Sequence, residues 1–90
     1  MRLDLFLKAA RLFPRRTIAQ KVCDAGFVSI NGAKAKPAHP VKSGDEITIR
    51  RREKISTLKV LSIPSDRQTA KQDVGNLYEM ISEQRLTDDP

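Results

Sequence analysis

The sequence predicts an α+β fold: paired N-terminal helices packed on a small antiparallel sheet, plus a short C-terminal helix. Apolar residues between positions 3 and 25 recur at helical intervals and are interrupted by a proline. From Phe27 to Ile63 the period shortens to two, and glycine turns separate the runs. Beyond Pro64 the chain becomes polar and then resumes a helical period. Ninety residues with 39% hydrophobic content suffice for one core, burying roughly 60% of the unfolded chain's surface, and leave no room for a second one. The expected organisation is a folded domain over 1–64, then a linker, a short helix and a disordered end over 65–90.

In the first helix, Leu3, Phe6, Leu7 and Ala10 keep the i, i+3, i+4, i+7 spacing of one face, while Asp4, Lys8 and Arg11 repeat on another. Asp4 lies in the first turn, where the helix dipole favours an acid, four residues before Lys8. Pro14 disfavours helical geometry at Phe13, so this helix is expected to stop near Leu12. A second helix starts at about Arg15 and presents Ile18, Val22 and Ala25. Gly26 closes it, because the residue after a last turn often needs a positive φ.

Phe27-Val28-Ser29-Ile30 alternates as a strand, and Asn31-Gly32 is a hairpin-turn signal followed by a short return from Ala33 to Lys36. Pro37-Ala38-His39-Pro40 reads as a loop. Gly44-Asp45 then leads into a strand over Glu46 to Arg50, the run Arg50 to Lys54 forms a tip, and Ile55 to Ile63 is a last β-branched strand. Asp73 can cap a final helix in which Val74, Leu77, Tyr78 and Ile81 share a face, weakened by Gly75.

Charge is distributed unevenly. Residues 1–54 carry 13 Lys/Arg against 5 Asp/Glu, whereas 55–90 carry 4 against 6, within a net charge of +6. The basic part is therefore the binding part, and its partner is a polyanion. Arg15, Arg16 and Lys21 fall on or beside the start of the second helix, and Arg15 takes the place of a Ser, Thr, Asp or Asn cap. Cations there oppose the dipole unless a phosphate is present. A solvated charged face is the bland alternative. The Arg50-Arg51-Arg52 run is either an edge-blocking charge cluster or an auxiliary RNA contact.

Catalytic chemistry finds little support. His39 stands alone between prolines, and Cys23 falls near the apolar side of the second helix with no other cysteine and no histidine at ligand spacing. No glycine-rich phosphate loop is present. No cofactor, no metal and no enzymatic activity are expected. Without an apolar run of 18 residues or a signal peptide, the expectation is a cytoplasmic protein with no membrane partner.

Arg2-Leu3-Asp4, the leucine and basic pattern through Lys8 and Arg11, Arg15-Arg16-Thr17, Ala25-Gly26, Val28 to Gly32, and Gly44-Asp45-Glu46-Ile47 together resemble the S4 RNA-binding domain over about residues 1–50. That domain is named for a small-subunit ribosomal protein and also occurs in pseudouridine synthases, tyrosyl-tRNA synthetases and the fifteen-kilodalton ribosome-recovery heat-shock protein. The whole chain, including Asn76-Leu77-Tyr78-Glu79, is most similar to family members that act in ribosome-associated quality control in low-GC Gram-positive bacteria. It lacks the long basic C-terminal extension of the heat-shock relative.

The resemblance implies an alpha-L RNA-binding motif and no catalysis. It implies, as ligands, rRNA of the large ribosomal subunit together with peptidyl-tRNA, and, as partner, an RqcH-type tailing factor that adds C-terminal alanine; the protein itself is expected to be a monomer. Carried onto matching positions, the RNA-contact candidates are Arg2, Lys8, Arg11, Arg15, Arg16, Thr17, Gln20 and Lys21, with Asp4 orienting neighbouring arginines. Phe13 and Phe27, the aromatics near this surface, can both be core, so base stacking is weakly supported. Three alternatives remain: a helix-turn-helix DNA binder, disfavoured because Gln20 is the sole Asn/Gln base reader on the second helix; a heat-shock-like recycling or rRNA-assembly factor; and an accessory domain of an RNA-modifying enzyme.

Overall fold

The computed structural model describes residues 1–63 and 77–85. Its elements in chain order are α1 (Leu3–Ala9), α2 (Arg16–Asp24), β1 (Val28–Ile30), β2 (Ala33–Lys34), β3 (Glu46–Arg50), β4 (Lys54–Val60) and β5 (Tyr78–Arg85). The strands form one antiparallel sheet in the order β2-β1-β3-β4-β5. The apolar stripe of α1 (Leu3, Phe6, Leu7, with Ala10 just beyond) is buried with Ala19 and Cys23 of α2 and with Val28, Ile30, Ile47, Ile49, Leu58 and Val60 of the sheet. Alternation along β3 and β4 puts those strand residues on one face, which is the face the helices cover.

Both helices end in the same device. After α1, the Arg11 N–H bonds the Lys8 carbonyl at 2.9 Å and the Leu12 N–H bonds the Leu7 carbonyl at 3.0 Å. After α2, Gly26 bonds Cys23 at 2.9 Å and Phe27 bonds Val22 at 3.1 Å. These are Schellman closures, which need a left-handed residue in the middle. Gly26 meets that need at φ +85°, as expected, whereas Arg11 adopts φ +58° with a full side chain. This early closure ends α1 at Ala9, short of the expected stop near Leu12. In the β1–β2 hairpin, Asn31 at φ +52° and Gly32 at φ +87° give the left-handed pair that a two-residue turn requires.

Two expectations are corrected. The buried residues of α2 are Ala19 and Cys23, while Ile18 remains 38% exposed and Ala25 is exposed. The helix is rotated about its axis so that Arg16 and Gln20 face α1, and the reason is polar, as the interface below shows. The second correction concerns the C-terminal helix: residues 78–85 form strand β5, paired antiparallel with β4. A stripe at helical spacing was outweighed by the open edge of β4, whose backbone groups find partners in β5. Leu77 is buried, its carbonyl accepting the Leu61 N–H at 2.8 Å, and Ile81 is 50% exposed where the register shifts between Thr57 and Leu58. Asp73, Val74 and Gly75 of that expected helix, the linker over 65–72 and the expected disordered end Thr87 to Pro90 lie outside the described residues.

The strand and helix assignments give different mutational outcomes. Leu77→Ala should lower stability by about 2–5 kcal/mol, as for a core leucine, while Ile81→Ala should stay within about 0.5 kcal/mol. A helix with both residues on its packed face would make the two losses similar, and thermal melts of the two variants separate the cases.

Candidate nucleic-acid interface

The first turn of α1 needs acceptors for its free N–H groups, and the loop expected over residues 37–40 provides them. Leu3 bonds the His39 carbonyl at 2.8 Å, Asp4 bonds the Pro37 carbonyl at 3.1 Å, and the Leu5 N–H bonds Asp4 Oδ1 at 2.8 Å. The start of α2 is different: no side chain caps it, and no acid lies in its first turn. Its dipole end therefore stays open to an anion, beside Arg15 and Arg16.

Asp4 itself has no solvent exposure. Its Oδ1 accepts from Arg2 Nε at 3.0 Å and from the Leu5 N–H, and its Oδ2 accepts from Arg16 Nε at 3.1 Å and Gln20 Nε2 at 2.9 Å. Burial pushes the carboxyl group up, but hydrogen bonds from Gln20, Arg16, Arg2 and Leu5 more than offset this and hold it below its ordinary range. The ionised acid is thus matched donor by donor, as a buried charge must be. Both arginines reach it through Nε, and among the described residues no acceptor takes their Nη N–H groups. Their side chains are 40% and 41% exposed, so two guanidinium forks are held in place with their outer donors facing solvent.

The structure brings Arg2, Arg16 and Gln20 together at Asp4, where the half-buried Gln20 donates to the carboxylate. Arg11 and Arg15 flank the turn between the helices, and Lys8, Thr17 and Lys21 are exposed on the helices themselves. The arginine run at the tip splits. Arg51 Nη2 donates to the Leu12 carbonyl at 3.0 Å, and its guanidinium lies 5.4 Å from the centroid of the buried Phe13 ring, tying the tip to the α1–α2 turn. Arg50 and Arg52 are exposed. Phe13 is core, but Phe27 is 47% exposed, which corrects its reading as a core candidate.

Other chemistry is not assembled. No cluster of three metal-ligating side chains occurs among the described residues, and none of their helices is long and apolar enough to cross a membrane. Burial, with the nearby negative charges of Asp4 and Asp24, pushes the Cys23 thiol up to about 11, so it is protonated and unreactive at neutral pH. Sequence patterning did not show that Gln20 and Arg16 share one acceptor. The available signal was their spacing of four, which puts both on one face of the second helix.

Asp4→Asn should cost about 2 kcal/mol through weakened charge-assisted hydrogen bonds. Because the native carboxyl group is depressed, its contribution is complete above about pH 4, the ordinary carboxylate range, and is lost as pH falls through the lower folded value. The stability gap between wild type and Asp4→Asn should therefore be constant from about pH 5 to 8 and narrow below about pH 4, as read from denaturant midpoints across pH.

Comparison with known proteins identifies the family and the fold. Residues 1–47 match the S4 domain family. The chain is 44% identical over 86 residues to the RQC P-site tRNA stabilizing factor of Bacillus subtilis, covering 96% of this chain and 98% of that protein. It superposes on the trimeric structure of Vibrio cholerae Heat Shock Protein 15 with a TM-score of 0.80 and 32% identity, covering 91% of this chain and 82% of that one. The solution structure of hypothetical protein HP1423 gives the same TM-score and identity, covering 91% and 98%. The family match over residues 1–47, with a relative 44% identical over nearly the whole chain, shows that this protein, with its two helices joined through a buried acid, belongs to the S4 domain family, with the RQC P-site tRNA stabilizing factors among its full-length relatives.

Proposed function

We propose that this protein binds rRNA and tRNA on obstructed large ribosomal subunits that carry peptidyl-tRNA, and supports alanine tailing there alongside an RqcH-type tailing factor. It acts by binding, without catalysis, as a cytoplasmic monomer whose RNA-contacting unit is residues 1–64. The observation that carries this reading is the pair of guanidinium groups preset on Asp4, in a chain whose relatives are named for stabilising P-site tRNA. Arg2, Lys8, Arg11, Arg15, Arg16, Thr17, Gln20 and Lys21 are the contact residues in this reading, with Asp4, and Gln20 through its bond to Asp4, positioning the arginines.

A rigid pair of helices with cations at fixed spacing suits the phosphate backbone of a folded RNA, which it reads by shape more than by sequence. Cations that touch both rRNA and tRNA would favour one tRNA position. By linkage, the protein stabilises that position by the same free energy with which bound tRNA strengthens its own attachment.

With about five cations on phosphates, log K against log[salt] for large-subunit binding should have a slope of about −3.5 to −4.5, and a flat response would remove phosphate contact as the main source of affinity. Binding should be tighter to subunits with peptidyl-tRNA than to empty ones, and Arg16→Ala should weaken both binding and alanine tailing. Equal affinity for the two particles, with tailing unaffected, would instead leave a general rRNA-binding or assembly role. Arg11→Gly separates fold from function: it relieves a left-handed arginine, so stability should hold or rise by up to about 1 kcal/mol while RNA affinity falls.

A further inference from the structure

The tip between β3 and β4 and the end of β5 enclose a shallow groove lined by Arg51, Arg52, Glu53, Lys54, Glu83 and Arg85. Register places Lys54 directly opposite Arg85, and like charges so placed destabilise a sheet unless something of opposite sign lies over them. Lys54 has one such group, Glu83, at 3.3 Å, and Glu83 also accepts from the Ser56 hydroxyl at 3.1 Å. Arg52 and Arg85 have no acceptor among the described residues and are exposed.

Position decides which surface this groove belongs to. Leu58 and Val60 of β4 share the core with the helices, so by alternation Ser56 and Lys54 point to the same side of the sheet, and Lys54's partner Arg85 with them. Arg51 reaches from the groove's wall to the Leu12 carbonyl and the Phe13 ring, between Arg11 and Arg15 in the chain. The groove is therefore joined side by side to the α1–α2 turn, and its cations lie on the helix-bearing side of the molecule.

We infer that this groove is a second seat for the sugar–phosphate backbone of the bound RNA, with Arg52, Lys54 and Arg85 as its contact residues and Arg51 as the positioning residue that aligns it with the helix pair. The inference rests on the RNA-binding reading above and extends its footprint from the helices to the sheet tip. An RNA held at both seats is fixed in orientation as well as attached. Glu53, which lines the groove without a partner among the described residues, works against this binding and sets its strength.

The test uses the full-length protein and purified bacterial large ribosomal subunits, with affinity measured across a salt series. The Arg52→Gln/Arg85→Gln double variant should lower affinity about ten-fold near 0.15 M salt and reduce the magnitude of the log–log slope by about 1.4–1.8, the loss of two phosphate contacts. Glu53→Gln should act in the opposite direction and tighten binding several-fold, a gain that a misfolded variant cannot produce. Unchanged affinity in both tip variants, with Arg16→Ala still weakening binding, would overturn the groove and leave these charges as guards of the sheet's open edge. If Arg16→Ala also left binding unchanged, the RNA-binding reading itself would fall with it.

Discussion

A carboxylate without solvent access requires a matched set of donors, and those of Asp4 come from three places: Arg2 ahead of α1, the Leu5 backbone within it, and Arg16 and Gln20 across on α2. That requirement fixes how the two helices face each other. It turns α2 so that its 16/20 stripe looks inward at one end while Ala19 and Cys23 complete the apolar core, and it leaves Ile18 partly exposed. A hydrophobic seam alone would tolerate other rotations, since apolar contact is non-directional, whereas hydrogen bonds at about 3 Å do not.

The same interaction makes the arginines useful. An arginine side chain loses considerable rotamer freedom when it grips a ligand, and an arginine already held at Nε has lost much of it on folding. In the function proposed above, Arg2 and Arg16 would present their outer N–H groups to a phosphate with little further ordering. Pre-organisation of this kind raises affinity by lowering the cost of binding and favours a ligand of matching shape.

Left-handed residues and the tip serve the same geometry. Arg11 at φ +58° lets α1 stop abruptly, so the chain turns back within a few residues and the helices pack as a pair. Arg51 then holds the carbonyl of Leu12 and covers Phe13, fastening this turn to the sheet. The helix pair is thereby braced at one end by a buried acid and at the other by a strand-tip arginine.

Elements with strong local periodicity were legible in the sequence. The apolar stripe of α1, the Gly26 closure, the Asn31-Gly32 hairpin turn and the alternation of β3 and β4 each rest on backbone preferences that neighbours along the chain supply. The basic first half and the motifs from Arg2 to Ile47 were enough to point to RNA and to the S4 family. Tertiary structure alone decided the rest. Leu77, Tyr78 and Ile81 keep a helical spacing, yet Tyr78–Arg85 forms a strand, because β4 offers a ladder of backbone partners and isolated short helices are marginal. Arg2, Arg16 and Gln20 look alike as exposed polar residues in the sequence, and Arg50, Arg51 and Arg52 look like one cluster. Which of them grip Asp4, which one braces the α1–α2 turn and which stay exposed depends on distances between residues far apart in the chain, and these exist only once the helices and the sheet have packed.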